Sequence, residues 1–559
     1  MQTIMQTVSN AKTNPVLRIL PSMTDFAFLM PLIFIFAGMH GAKTLLGDGD
    51  TGWHVRTGEW IMSHGRVPDT DLYSFTKTGQ PWFAWEWLWD VAFAWLHQHW
   101  GMAAVVVGSA LVIALTSALV FRLAFRKSGN PLIAIALTFL AVAGASIHFL
   151  ARPHLFTLLF TVVFYTILER VRENGNARLL WWLPALTVLW TNLHGGWFIG
   201  IVLTGLYAAG ELAGGLFDGG PGAWRAAVQR TLPYAGIASL CLAASLIGPY
   251  TYHLHVHIWE YLTDSFQREH IQEMLPISFQ NPAARYFEIM LLAGGGACLW
   301  HLRRKRFTEV LLLVFFAHIG LIASRNIPIF GIVAAPVLAL AVTEWIQMLA
   351  DAPVSEWLRK AARALGNMGE AIGGMEGEWR THLVSAAAFA LITAILYAPA
   401  PPENFRARFD AKTFPAKALA SLGDTAAQSR IFTYDQWGDF LIYMHPKNQV
   451  FIDGRSDFYG RKFEEKYLDI MGVNYKWQQY LNEYGVDTVL LPTAAPLAGA
   501  LKESSRWHVV YDDGDAIVFR AGARPEGPQV SAAISGGKDR DRKITNTQPS
   551  DRTITKTKT

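Results

Sequence analysis

A chain of 559 residues that returns eleven times to an apolar run of about membrane-spanning length has few folds open to it. The runs lie near residues 26–46, 101–121, 130–150, 153–168, 179–193, 197–216, 231–249, 286–302, 307–323, 327–348 and 382–399. Inside hydrocarbon each run must satisfy its own backbone N–H and C=O groups, and an α-helix does so unaided. Several runs fall short of the ~20 residues a straight span needs, which a bundle absorbs by tilt or burial. Hydrophobic residues make up 52% of the chain and charged residues only 16%, which excludes an ordinary soluble domain. A net charge of +4 gives no ground for a nucleic-acid partner. Cys241 and Cys298 both sit in apolar runs and read as packing residues, not as a disulfide framework.

Basic residues orient the bundle. Lys12 and Arg18 place the amino-terminal segment 1–25 in the cytoplasm. Later returns to that face carry Arg122, Arg126 and Lys127, then Arg170, Arg172 and Arg178, Arg225 and Arg230, Arg303 to Arg306, and Arg359, Lys360 and Arg363. On the opposite face Arg152 and Arg325 stand nearly alone. The expectation is an α-helical polytopic protein of the cell (inner) membrane, with about eleven transmembrane helices in a module over 26–400. Everything after residue 400 then lies outside. No small-residue cleavage site follows the first run, so it reads as an uncleaved span. Trp82–Trp100 is long enough to cross, but it carries six tryptophans with Glu86, Asp90, His97 and His99. Such residues prefer the headgroup level, and an interfacial helix there keeps the basic loops on one side.

The first outer loop, 47–100, is long and is expected to hold two helices. Asp50 or Thr51 would cap the first, and Gly65 with Pro68 would end it. A second outer loop runs over 250–285, and the stretch 350–380 suits the inner surface. Over 403–523 the apolar runs shorten to strand length, at 430–433, 450–453, 488–492, 507–511 and 516–520, with a helical stretch at 463–484. This reads as an extracytoplasmic α/β domain. Residues 524–559 are polar and read as a disordered tail.

Under this topology the unusual polar clusters converge on one face, where charge near hydrocarbon needs a reason. Asp48 and Asp50 share a turn with Gly47, Gly49 and Gly52, which leave room for close approach. A carboxylate there suits a general base or a divalent cation; helix capping by Asp50 is the plainer reading. Glu86 and Asp90 share a helix face with His97, either as site residues or as a solvated stripe. His54 could pair with a carboxylate or a phosphate. Arg152, in Ala151-Arg152-Pro153-His154, and Arg325, beside Asn326, offer planar donor forks for a lipid phosphate, with snorkelling as the alternative. Asn192 and His194, with Gly195 and Gly196, add donors at the same depth or serve helix packing. His253, His255 and His257 could bind zinc only with further ligands that the sequence does not offer. Asp453-Gly454-Arg455-Ser456-Asp457, with Tyr434, Asp435, Trp437 and Asp439, reads as a ledge for a sugar or as a salt-bridged turn.

The motifs GDGDTGWHVRTGEW, ARPH, NLHGG, SRNIP, WGDFLIY and FIDGRSDFYG, set in this architecture over roughly residues 26–521, resemble a bacterial branch of the GT-C superfamily. That group of membrane glycosyltransferases includes the protein mannosyltransferases and the aminoarabinose transferases. The resemblance implies transfer of a hexosyl or pentosyl unit from a polyprenyl-phosphate-linked sugar to an extracytoplasmic glycan, lipid or protein acceptor. It maps the first-loop acidic residue onto Asp50 or Asp48, and some members need a divalent cation. A lipid or glycolipid flippase without transferase chemistry is the rival reading, but it would place ionisable groups near mid-bilayer and show repeated halves.

Overall fold

The computed structural model describes residues 18–218, 220, 222–377 and 380–522. Lys12, most of the amino-terminal segment and the expected tail 524–559 lie outside the described residues.

Each of the eleven expected spans falls on a helix. They are α1 (Met23–Ile33), the second half of α3 (Trp87–Ser128), α4 (Pro131–Ala145), α5 (His154–Asn174), α6 (Trp182–Leu193), α7 (Phe198–Asp218), α8 (Ala223–Ala244), α10 (Ala284–Arg303), α11 (Phe307–Ile322), α12 (Ile327–Asp351) and α14 (Leu383–Leu396). Among the described residues five helices are long and apolar enough to cross a membrane, those containing 87–128, 131–148, 154–174, 195–217 and 324–351. Three more, 23–38, 307–322 and 383–396, are apolar but shorter. The first run ends earlier than expected. A π-turn at Phe34–Gly38 closes it, and Gly41 then lets the chain press against the Asn404 backbone. The 350–380 stretch is helical over α13 (Glu356–Glu376), with Trp357 and Met368 exposed and Glu376 accepting from the first N–H groups of α1.

Gly101 divides α3. Its φ of 71° and ψ of −172° break the helix between the tryptophan-rich stretch 87–100 and the span after it. Only glycine takes that conformation readily, so the two halves can point in different directions. The other helix of the 47–100 loop is α2 (Asp50–His64). It closes on Gly65 in the left-handed region, as expected, but neither Asp50 nor Thr51 caps it. Asp50 is its first residue, and the Asp48 carboxylate accepts from the Asp50 N–H at 2.9 Å.

The carboxy-terminal part carries a four-stranded sheet ordered β1-β2-β4-β3, with β1 (Ile431–Thr433) parallel to β2 (Thr488–Pro492). β3 (Trp507–Asp512) and β4 (Ala516–Ala521) form a hairpin antiparallel to β2. Helix α15 (Asp435–Met444) leaves β1, and α16 (Arg461–Met471) with α17 (Trp477–Glu483) covers the expected helical stretch. The 450–453 segment is not a strand of this sheet. Val450 instead bridges to Ser74 of the 47–100 loop. The seam extends from there: Val450 N–H donates to Tyr73 O at 2.8 Å, and Phe75 N–H to Val450 O at 3.1 Å. Buried apolar residues accordingly run without a break from the bundle into Phe414, Trp437 and Phe440.

Candidate active site

Where α2 begins, the loop before α5 meets it. Thr51 Oγ1 donates to Ala151 O at 3.1 Å, and Ala151 N–H to Leu45 O at 2.7 Å. These contacts fix Arg152 over the aspartate turn, with Nη1 2.8 Å from Asp48 Oδ2 and Nη2 2.5 Å from Asp50 Oδ2. Asp50 Oδ1 also accepts from Trp53 Nε1 at 3.2 Å. Burial, only partly offset by Arg152, pushes the Asp50 carboxyl up to about 7.

A second arginine stands across the cluster. Arg325 lies 3.2 Å from Glu273 and donates to Tyr261 Oη at 3.2 Å. Although burial opposes it, Arg325 and then Arg152 hold the Glu273 carboxyl well below the usual carboxylate range. Glu273 therefore stands as the counter-charge between the two guanidiniums. Sequence reasoning did not single it out, although it falls in the 250–285 loop. The two arginines, expected as free phosphate forks, are each engaged by carboxylates, and each keeps about a quarter of its side chain exposed.

Glu86 and Asp90 are buried, so the solvated-stripe reading does not hold for them. Burial pushes the Glu86 carboxyl up to about 8, against the pull of Arg152. His194 Nε2 faces it at 3.7 Å, while its Nδ1 accepts from Gly196 N–H and meets Thr157 Oγ1 at 2.7 Å. Asp90 pairs with His54 Nδ1 at 2.6 Å, and its Oδ2 is left without a partner. Burial holds His54 neutral, with Arg152 acting in the same direction. His97, two turns beyond Asp90 on the same helix, joins Glu59 and Tyr443. Asn192 is spent on structure, accepting from Trp87 Nε1 and donating to Ile247 O. The histidine trio makes no metal site. His257 binds Asp457 at 2.8 Å and His255 contacts Ser245. Among the described residues no group of three His, Cys, Asp or Glu side chains is placed to hold a metal ion. At the aspartate turn Arg152 takes the Asp48 and Asp50 oxygens that a divalent cation would otherwise use.

Of the expected sugar ledge, Trp437, Asp439, Asp453 and Arg455 are buried, whereas Tyr434 is exposed. Arg455 bonds Asp453 through Nε at 2.7 Å and Asp71 through Nη2 at 2.8 Å, under the Trp82 ring at 4.5 Å. Here the salt-bridged reading holds, with Asp71 as an unforeseen partner from the first loop. The close approach allowed by the first-loop glycines is also used by protein. Cβ atoms at Gly49 and Gly52 would lie 2.8 Å from Asp439 Cβ and 2.7 Å from Tyr443 Cβ, both on α15.

No family model and no curated protein matches the sequence. Among solved structures the fold is similar to the oligosaccharyltransferase of Archaeoglobus fulgidus in its apo form, with a TM-score of 0.50 at 13% identity over 84% of this chain and 69% of that one. ArnT from Cupriavidus metallidurans in the apo state aligns over 89% of this chain and 97% of that one, at 16% identity and a TM-score of 0.43. The chain thus shares its fold with the archaeal oligosaccharyltransferase.

Proposed function

We propose that the protein is a membrane glycosyltransferase moving a sugar from a polyprenyl-phosphate carrier to an extracytoplasmic hydroxyl on a glycolipid, polysaccharide or protein. The observation that carries this reading is the Arg152 guanidinium held against Asp48 and Asp50, with Arg325, Glu273 and Glu86 in the same buried cluster. The donor phosphate takes the exposed edges of Arg152 and Arg325 and draws Arg152 away from Asp50. Asp50 then receives the proton of the acceptor hydroxyl as its oxygen bonds to the anomeric carbon. The bond from that carbon to the phosphate oxygen breaks on the opposite side, so the anomeric centre inverts. The leaving phosphate keeps the electron pair, and the guanidiniums stabilise it without an added acid. A carboxyl whose proton comes off near neutral pH is matched to this work.

The test is Asp50→Asn in purified protein in vesicles, supplied with undecaprenyl-phosphate-linked sugars and envelope acceptors. Transfer should fall by about 10³-fold, within the range of a lost general base, while thermal unfolding stays close to wild type. Undiminished turnover would remove Asp50 from this role. Movement of labelled lipid across the vesicle without any sugar transfer would instead favour a flippase.

A further inference from the structure

Asp439 is a buried acid to which the proposed transfer assigns no role. It sits on α15, in the carboxy-terminal part, and is completely buried. Its Oδ1 accepts from the Gly454 N–H at 2.8 Å, but its Oδ2 has no partner at all. That oxygen faces the aspartate turn. A methyl group on Gly454 would press into Asp50 Oδ1 and lie 2.9 Å from Asp439 Oδ2, so the two carboxyls flank the same point. A buried anionic oxygen with no donor is unfavourable, whereas a protonated one facing another carboxylate has its acceptor in front of it.

We propose that Asp439 is a positioning residue for Asp50, a neutral carboxylic acid that directs its O–H toward Asp50 across Gly454. The inference rests on the glycosyltransferase reading for its kinetic consequence only. The groups around the pair agree with it. Asp48, Asp50, Asp453 and Asp435 all lie on the acidic side, and Arg152 is engaged with Asp48 and Asp50. Arg455 is held by Asp453 and Asp71. Glu86 and Glu273 add negative charge that acts on Asp50 and Arg152. Burial, and next the Asp50 charge, hold the Asp439 carboxyl well above its ordinary range, the direction in which it keeps its proton.

Asparagine is a close mimic of a neutral carboxylic acid, and this separates the two aspartates. Asp439→Asn should keep transfer within about threefold of wild type, whereas Asp439→Ala should lose ten- to a hundredfold in kcat with little change in KM. Wild-type turnover should also decline at alkaline pH as Asp439 gives up its proton, and that decline should vanish in Asp439→Asn. An infrared difference spectrum of purified protein at pH 7, wild type minus Asp439→Asn, should show a protonated-carboxyl C=O band; this reading needs no substrate. The band with no sugar transfer by wild type would overturn the glycosyltransferase reading and leave the carboxyl assignment standing. No band, or an Asp439→Asn variant as inactive as Asp50→Asn, would overturn the assignment itself. Should Asp439→Ala fail to fold, Asp439→Asn and the infrared band still decide it.

Discussion

Two buried ionic clusters sit at the two ends of α5, roughly 25 Å apart at 1.5 Å of rise per residue. At the carboxy-terminal end, Lys127 lies 2.9 Å from Glu169 and 3.2 Å from Glu309, and Arg172 holds Glu309 at 2.8 Å. Two cations there answer two carboxylates, and the lysine and both glutamates are almost fully enclosed. At the other end Arg152 faces Asp48, Asp50 and Glu86, while Asp90 and Asp439 each keep an oxygen without a partner. A balanced cluster ties α3, α5 and α11 together. An acidic cluster short of cations holds carboxyls in states ready to take or release protons, which structure alone does not require. The same residue types therefore do different work at the two ends, and the charge balance separates them.

The contrast can be broken most forcefully at the balanced end. Lys127→Met leaves buried charge unpaired and should lower stability by about 3–5 kcal/mol, read as a fall in the thermal midpoint, with turnover per folded molecule unchanged. Next comes Arg152→Gln at the acidic end. Here Asp50 can take up a proton, so the midpoint should move little while transfer drops about 10²-fold. Unfolding as severe as that of Lys127→Met would erase the distinction. A pH series sharpens it further. The ionised form of Asp50 is the active one and its carboxyl titrates at about 7. Turnover should thus fall about tenfold per pH unit below that point, and Lys127→Met should keep the same profile. The smallest effect serves as a control. Lys360 and Glu356 form an exposed pair at 2.8 Å, and Lys360→Ala should change stability by no more than about 0.5 kcal/mol.

The bundle was legible in the sequence because an apolar run declares a helix by itself. Arg152 and Arg325 were legible for a related reason, since isolated basic residues on a face poor in cations call for partners. The partners themselves were not. Glu273 is one carboxylate among several in a polar loop, and only the folded chain sets it beside Arg325. Val450–Asp453 has the composition of a strand, yet its edge pairs with Ser74, and no local pattern reveals a partner so distant. Asp439 was visible as part of a polar turn, but exposure could not be read from residue type. The turn that looked like a ledge for a sugar is enclosed by Asp71 and Trp82. The glycines around Asp48 and Asp50 did signal close approach, though the approaching group is α15 and not a substrate.

The seam between the 47–100 loop and the carboxy-terminal part has a consequence for how the protein is made. Asp71 meets Arg455 across 384 positions of chain. The aspartate turn emerges early in synthesis and must wait for nearly the whole bundle before the strand and helix that shape it exist. A half-built copy carries both acids and their arginine but not the wall behind them. On the proposed reading, the aspartate turn gains its full surroundings only once the carboxy-terminal part has been made and has docked against it.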